Sequence, residues 1–421
     1  MLDALTIHRY AGLRNFHLEL PNGTHPEFGN LRICLIVGEN GTGKTTLLRA
    51  MTMAFTYAGR PHPRFHITYE HGYAPQGKPR IITSTYAVVD GFARLPDRGP
   101  EPVVDHIHLS PTRIGSVRRL EASILENINS NEPQRRKAAN EILSHIGLSE
   151  PTHYQFEWRF GSDPRLISER QLHAEKVHNL LTAAGAKWEI HETPFRASVR
   201  RTVKGTISVR DVNEAFPDGI ETVYSLLRGL RDGGSQWYSL PGLVFPRQDE
   251  SISINDLSSG ERTMLYRFFP LLDAVQDEAV ILIDEPETHL HPKWIQEFVA
   301  MLVSVFKSYH AQFILASHSP LIAADLPADC IVGLKRVKGT IQSAPITVRS
   351  LGGNPAEILE SVFGVDDYRG VFTQSVMKKL KQAIKKQNLP EAERLYALFA
   401  QSEEKLELFR ELRRLREEQE S

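Results

Sequence analysis

The chain has 421 residues, of which 41% are hydrophobic, 8% aromatic and 24% charged; that balance excludes a disordered chain, a collagen-like repeat and a disulfide scaffold, and the length predicts two or three structural units. Fifty basic residues stand against 51 acidic ones for a formal net charge of -1, so any nucleic-acid affinity must come from a local patch. The two cysteines, Cys34 and Cys330, can build neither a disulfide framework nor a CxxC metal site, which points to a reducing compartment.

The N-terminus begins Met1-Leu2-Asp3 without a basic leader, and no window of about 18 uncharged apolar residues follows. The expected location is therefore the cytoplasm, with no membrane partner. Leu5-Thr6-Ile7 and Phe16-His17-Leu18-Glu19-Leu20 alternate as strands, separated from the next by Pro21-Asn22-Gly23. Leu31 to Val37, broken only by Arg32, reads as a buried strand, and Thr45 to Phe55 has helical spacing.

Between that strand and helix lies Gly38-Glu39-Asn40-Gly41-Thr42-Gly43-Lys44-Thr45, a match to GxxxxGK[ST] in the context the motif requires. Its glycines let successive backbone N–H groups and the helix N-terminus face phosphates. Lys44 is expected to reach the β- and γ-phosphates and Thr45 to ligate Mg²⁺, with Thr46 next to it in the nucleotide's surroundings. Strands at Ile81 to Val89 and Val103 to Leu109 close a first lobe, 1–115.

Residues 116–249 change character and read as a mostly helical insertion, with helices near 117–147 and 169–185. Basic clusters at Arg118-Arg119, Arg135-Arg136-Lys137 and Arg196, Arg200, Arg201 and Lys204 suit phosphates of DNA or RNA, or form a solvated helical face, since Glu121 and Glu126 are interleaved. From 250 to 350 a second lobe follows. Asp256-Leu257-Ser258-Ser259-Gly260-Glu261-Arg262 opens a predicted helix, which is ordinary capping chemistry or a phosphate grip. The apolar strand Ala279 to Ile283 ends in Asp284 and Glu285; alone this is a common solvated turn, but beside the Gly loop it provides an Mg²⁺-holding Asp284 and a water-polarising Glu285. Helix 292–307 and strand Phe313 to Ala316 lead to Ser317-His318. Residues 351–421 are read as helical from Ala356, interrupted at Asn388-Leu389-Pro390, with a Leu408, Leu412, Leu415 stripe that docks a partner or packs on the Val376 to Ile384 helix.

Taken in order, these motifs resemble the ABC ATPases: LSSGE at 257–261 stands for the signature LSGGQ, Glu287 to Pro292 for the D-loop, and His318 for the switch histidine. The N-terminal Ile7 to Leu20 segment, DEPETHLHP at 284–292 and ASHSP at 316–320 are similar to the SMC and RecF-type branch rather than to transporters. Gly352-Gly353-Asn354-Pro355-Ala356-Glu357-Ile358-Leu359, leading to Phe363-Gly364-Val365, resembles the PtuA subunits of bacterial anti-phage Septu systems. The resemblance spans roughly 1–115 and 250–345. It implies an α/β P-loop NTPase head that takes ATP and Mg²⁺, with Ser258, Ser259, Gly260 and Glu261 binding ATP held by Lys44 of a second copy, and Glu285 and His318 catalytic. A head-to-tail homodimer follows from one copy of each motif.

No nuclease motif occurs in the chain, so a separate nuclease, HNH-type favoured, is the expected partner under its control. A RecF-like repair ATPase binding DNA unaided is the alternative, and a transporter ATPase a disfavoured third. The Q-loop glutamine is not evident after Leu109, where Ser110-Pro111-Thr112-Arg113 follows, and Gln76 is a weak substitute. His289 and His291 suggest a metal less readily than a D-loop.

Overall fold

The N-terminal alternation folds into a hairpin, Ala4–Tyr10 (β1) against Leu13–Glu19 (β2), in register Leu5 to Leu18 and Ile7 to Phe16. Period two sends these four side chains inward. The computed structural model describes residues 1–57, 66–70, 80–86, 92, 105–109, 117–159, 177–195, 198–216, 218–219, 222, 238–248, 250–337, 340–346, 348–365, 370–400 and 403–420. They divide into two compact units, 1–358 and 359–421.

In the first unit Arg32–Gly38 (β3) is buried at every position after Arg32 and runs into the helix Lys44–Thr56 (α1). His66–Glu70 (β4) pairs with β1 and completes a three-stranded antiparallel sheet. Leu47, Leu48, Met51 and Phe55 of α1 pack between Leu5, Ile7, Phe16 and Leu18 of that sheet and Ile36, Leu282 and Ile314. Arg80–Thr85 (β5) and Asp105–Leu109 (β6) pair in parallel as the edge of the main sheet.

The helices Val117–Ile128 (α2) and Pro133–His145 (α3) lie where the sequence predicts. The rest of the expected helical insertion needs correction. His153–Arg159 (β7), Lys187–Phe195 (β8), Ser198–Ser208 (β9), Tyr238–Arg247 (β10) and Glu250–Ser253 (β11), with the short helix Val209–Ala215 (α4), form a five-stranded antiparallel sheet ordered β11-β10-β7-β9-β8. Of the predicted 169–185 helix, 177–185 lies among the described residues, helical over 177–183 and ending in a turn at 184–185. Tyr154, Phe156, Ile207, Leu243 and Phe245 are buried along alternate positions, as in a sheet with one solvated face. Its charged outer positions give the segment a polar composition that hides the period of two.

The core resumes with Ser259–Ala274 (α5), Val280–Asp284 (β12), Pro292–Phe306 (α6), Gln312–Ser317 (β13), Pro320–Ala324 (α7), Ile331–Val337 (β14) and Thr340–Pro345 (β15). The main sheet is ordered β15-β14-β3-β13-β12-β5-β6, parallel except for β15. On β13, Ile314 faces the α1 side while Phe313 packs on Phe306, whose ring stacks on Phe268 of α5. The sheet is thus covered on both faces, as parallel strands require.

The helix Pro355–Ser361 (α8) carries the chain across the unit boundary, and Val371–Lys385 (α9), Leu389–Tyr396 (α10) and Glu403–Glu420 (α11) make up the rest of the second unit. Asn388 caps α10 by accepting the Glu391 N–H at 3.3 Å, which explains the predicted interruption. Leu408 and Leu412 cluster with Val376, Leu380, Ala383, Ala392 and Leu395, so the leucine stripe serves the unit's own core. Leu380→Ala is expected to destabilise this unit by about 2–4 kcal/mol, measured by hydrogen exchange over 371–415; protection equal to wild type contradicts that packing.

Candidate functional site

Strands β3, β13 and β12 are neighbours, and their C-terminal ends bring together the Gly38 to Gly43 loop, Ser317-His318 and Asp284-Glu285. Beyond the carboxyl ends of parallel strands is where such sheets take ligands. Gly41 and Gly43 have φ of 81° and 90°, values that a side chain disfavours. At Gly38 a Cβ would sit 2.6 Å from the Leu334 carbonyl and 2.8 Å from Thr42 Oγ1. Thr42 donates to the Glu39 carbonyl at 2.7 Å, and Arg336 of β14 donates to the Gly41 carbonyl at 2.9 Å. Glu39 and Asn40 are exposed at the loop tip, whereas Thr45 and Thr46 are half-buried in the first turn of α1.

Lys44 is buried and donates to the carbonyls of Gly38 at 2.7 Å and Glu39 at 3.2 Å. Burial lowers its ammonium's pKa, against Glu287, Asp284 and Glu285, which raise it. Thr45 Oγ1 donates to Asp284 Oδ2 at 2.8 Å, joining motifs 239 positions apart. Burial pushes the Asp284 carboxyl up to about 6, opposed by the Thr45 bond and Lys44. Asp284 Oδ1 is buried with no hydrogen-bond partner among the described residues. A hydroxyl, a carboxylate with a spare oxygen and an excess of acids over Lys44 form a hard oxygen donor set that fits Mg²⁺.

Glu285 follows with φ of 51°, a left-handed conformation costly for a side-chain-bearing residue and typical of functional turns. Its N–H bonds the Ala316 carbonyl at 2.9 Å, and Thr288 Oγ1 donates to Glu285 Oε2 at 3.1 Å. Glu287, absent from the sequence-predicted set, holds the histidine. Its Oε1 accepts from Ser317 Oγ at 2.8 Å and the His318 N–H at 2.7 Å, and lies 3.0 Å from His318 Nδ1. Burial alone would raise the Glu287 carboxyl, but the bonds from His318 hold it below the usual carboxylate range. The same contact pushes the His318 imidazole up, against burial. The second Glu of DEPE was the available signal, since an acid three residues past a strand end can reach the next strand's end.

The His318 contribution is complete below the free histidine value of 6.5 and is lost as pH rises through its raised value. That of Glu287 is present above 4.5 and is lost as pH falls through its lowered value. The charged pair is therefore fully formed between pH 4.5 and 6.5. An NMR titration of the His318 ring is expected to give a midpoint above 6.5 that moves down in Glu287→Gln. A midpoint indifferent to that substitution contradicts the pairing.

Ser258 caps α5 in a capping box: its Oγ accepts the Glu261 N–H at 3.3 Å, and Glu261 Oε2 accepts the Ser258 N–H at 2.7 Å. Ser258 and Ser259 are exposed. Among the described residues no hydrogen bond or ion pair joins 258–261 to the loop 38–46. A Cβ on Gly260 would meet Trp294 Nε1 at 2.4 Å, so the close approach of α5 to α6 needs glycine there. Glu261, predicted to touch nucleotide, is instead buried, with its carboxylate committed to the cap and to Arg247 Nη2 at 2.5 Å. Arg267 lies over the Tyr86 ring and donates to the carbonyls of Pro286 and Thr288, tying α5 to the turn that carries Glu285. Neither arginine was legible as a site residue.

His289 is exposed and His291 caps α6, accepting the Lys293 N–H at 3.3 Å; among the described residues no cluster of three or more metal-ligating side chains occurs. Gln76, Ser110 to Arg113 and Arg196 lie outside the described residues, as do the side chains of Arg118, Arg200 and Arg201. Among the described residues no helix is long and apolar enough to cross a membrane.

Against known proteins, the chain is 25% identical to the Septu protein PtuA of Bacillus thuringiensis over 385 residues, covering 84% of each chain. It is 32% identical to "Retron Ec83 probable ATPase" of Escherichia coli over 34% of this chain and 28% of that one. To protein ea59 of Escherichia phage lambda it is 28% identical over 30% of this chain and 24% of that one, so the match spans only about a quarter of the length of these last two relatives. The model of the family described as "AAA domain, putative AbiEii toxin, Type IV TA system" matches residues 33–325, from β3 to just past α7. The chain belongs to this family of P-loop ATPases.

Proposed function

We propose that the chain binds Mg²⁺ and ATP beyond β3, β13 and β12, dimerises around two nucleotides, and is the regulatory ATPase of an anti-phage complex whose effector is a separate nuclease, HNH-type favoured. The observation that carries the nucleotide reading is the Thr45–Asp284 bond beside Lys44, with Asp284 Oδ1 spare. In this reading Gly38 to Thr46 cradle the phosphates through backbone N–H groups, and Lys44 turns from its own loop's carbonyls to the β- and γ-phosphates. Thr45 and Asp284 hold Mg²⁺, which supplies charge neutralisation on the phosphate oxygens.

Glu285 accepts a proton from the water that attacks the γ-phosphorus, as the bond from that phosphorus to the bridging oxygen breaks. His318, oriented by Glu287, donates to a γ-phosphate oxygen. Ser258, Ser259 and Gly260 offer hydroxyl and N–H donors at a helix start. With each motif present once and 258–261 unconnected to their own chain's loop, these donors serve the nucleotide of a second copy under two-fold symmetry. Glu261 supports them from behind.

The defence-ATPase role draws support from the similarity to the Septu protein PtuA and to the retron ATPase, and the separate nuclease from the resemblance read in the sequence together with the lack of a nuclease motif in it. The test is to purify the tagged protein from its native operon, with and without ATP and Mg²⁺, and to identify the chains that come with it. A nuclease in fixed stoichiometry supports the complex. Recovery alone with bound DNA shifts the assignment to a RecF-like repair ATPase, with the basic residues of the insertion as its working surface.

A further inference from the structure

The insertion holds α5 at both ends, through its sheet at the start and through α2 at the far end. At the start, Arg247 of β10 places Nη2 2.5 Å from Glu261 Oε1 and donates from the same nitrogen to the Ile146 carbonyl at the end of α3, at 3.4 Å. The other Glu261 oxygen receives the Ser258 N–H at 2.7 Å, so one carboxylate is shared between the insertion and the first signature serine. Burial would raise that carboxyl, but the bonds from Arg247 and Ser258 hold it below the usual range. At the far end, Asp273 of α5 accepts from Ser123 Oγ and Asn127 Nδ2 of α2, each at 2.6 Å. Helix α2 in turn accepts the buried N–H of Leu243 in β10 on Glu121 Oε1 at 3.1 Å.

A capping box is complete with Ser258 and Glu261 alone and needs no cation from a distant sheet. The added arginine makes the orientation of Glu261, and through it the Ser258 N–H, depend on where β10 lies. Midway along α5, Arg267 passes the helix position to the Pro286 and Thr288 carbonyls beside Glu285.

We propose that Arg247 is a positioning residue, which fixes Glu261 so that Ser258 to Gly260 meet the nucleotide of a second copy and makes the placement of the inserted sheet an input to hydrolysis. This rests on the ATPase reading above. Its residues are distinct from those that hold the nucleotide within the chain, so binding and turnover separate.

The test uses the full chain with Mg²⁺ and ATP, comparing wild type with Arg247→Ala, Arg247→Lys, Glu261→Gln and the double variant Arg247→Ala/Glu261→Gln. Arg247→Ala is expected to lower kcat about tenfold, the loss of one charge-assisted bond acting in the closed dimer, with affinity for a fluorescent ATP analogue within about twofold of wild type. Arg247→Lys restores most of the loss, and the double variant is no slower than Arg247→Ala, because both act through one pair. An unchanged kcat in Arg247→Ala overturns the inference. So does a parallel fall in nucleotide affinity, or additive losses without rescue by lysine, either of which marks a purely structural arginine. A wild-type chain that hydrolyses no ATP overturns the ATPase reading itself.

Discussion

Glu285→Gln is expected to slow ATP hydrolysis at least about a hundredfold while leaving ATP binding intact, the scale of losing a positioned general base. Glutamine keeps the shape of the side chain and can still accept the Thr288 hydroxyl bond seen at Glu285 Oε2, so the left-handed turn at 285 is undisturbed. What it cannot do is take a proton from water. In the proposed cycle, where separation of the dimer follows hydrolysis, the variant is expected to accumulate as the ATP-bound pair. Steady-state phosphate release measures the first effect, and wild-type turnover in this variant removes Glu285 from the role.

Lys44→Ala is expected to weaken ATP binding at least about a hundredfold, since two charge-assisted bonds to phosphate are lost at about 1.5 kcal/mol or more each. It also removes the cation on which Asp284, Glu285 and Glu287 act, and leaves His318 to balance Glu287. An anionic phosphate chain then meets a floor with more unbalanced acid. Isothermal titration with ATP and Mg²⁺ checks the affinity; a dissociation constant within about threefold of wild type, a change of less than 1 kcal/mol, is incompatible with the assigned site.

The parts of this site that the sequence reveals are those whose chemistry is local. A Gly loop between strand and helix, a strand ending in Asp284-Glu285 and a strand ending in Ser317-His318 are each visible in a few consecutive residues, and the parallel order of β3, β13 and β12 then aligns their ends. Contacts formed across long sequence separations are not visible in this way. Glu287 reaches His318 31 positions later, signalled only by its place three residues past a strand end, and Arg247 reaches Glu261 from the inserted sheet with no spacing signature. Glu261 itself looked like a nucleotide ligand because of its place in LSSGE, while the capping box and Arg247 turn it inward.

The strands of the insertion are hidden in the sequence for a different reason. In HYQFEWR at 153–159 and KWEIHETPF at 187–195 the apolar residues do alternate, but the intervening charges suit a helix surface equally well, and the long-range pairing of β7, β9 and β10 decides the matter. The C-terminal leucine stripe was legible as an amphipathic face, and the structure supplied its occupant, α9 and α10 of the same unit.

In the proposed assembly the signature of one copy completes the nucleotide site of another. This is tested most directly by sedimentation of Glu285→Gln, alone and combined with Ser258→Arg, in the presence of ATP and Mg²⁺. The single variant is predicted to double its mass only with nucleotide, and the added Ser258→Arg to return it to monomer while ATP binding persists. A nucleotide-bound Glu285→Gln protein that stays monomeric, or a dimer indifferent to Ser258→Arg, contradicts the claim.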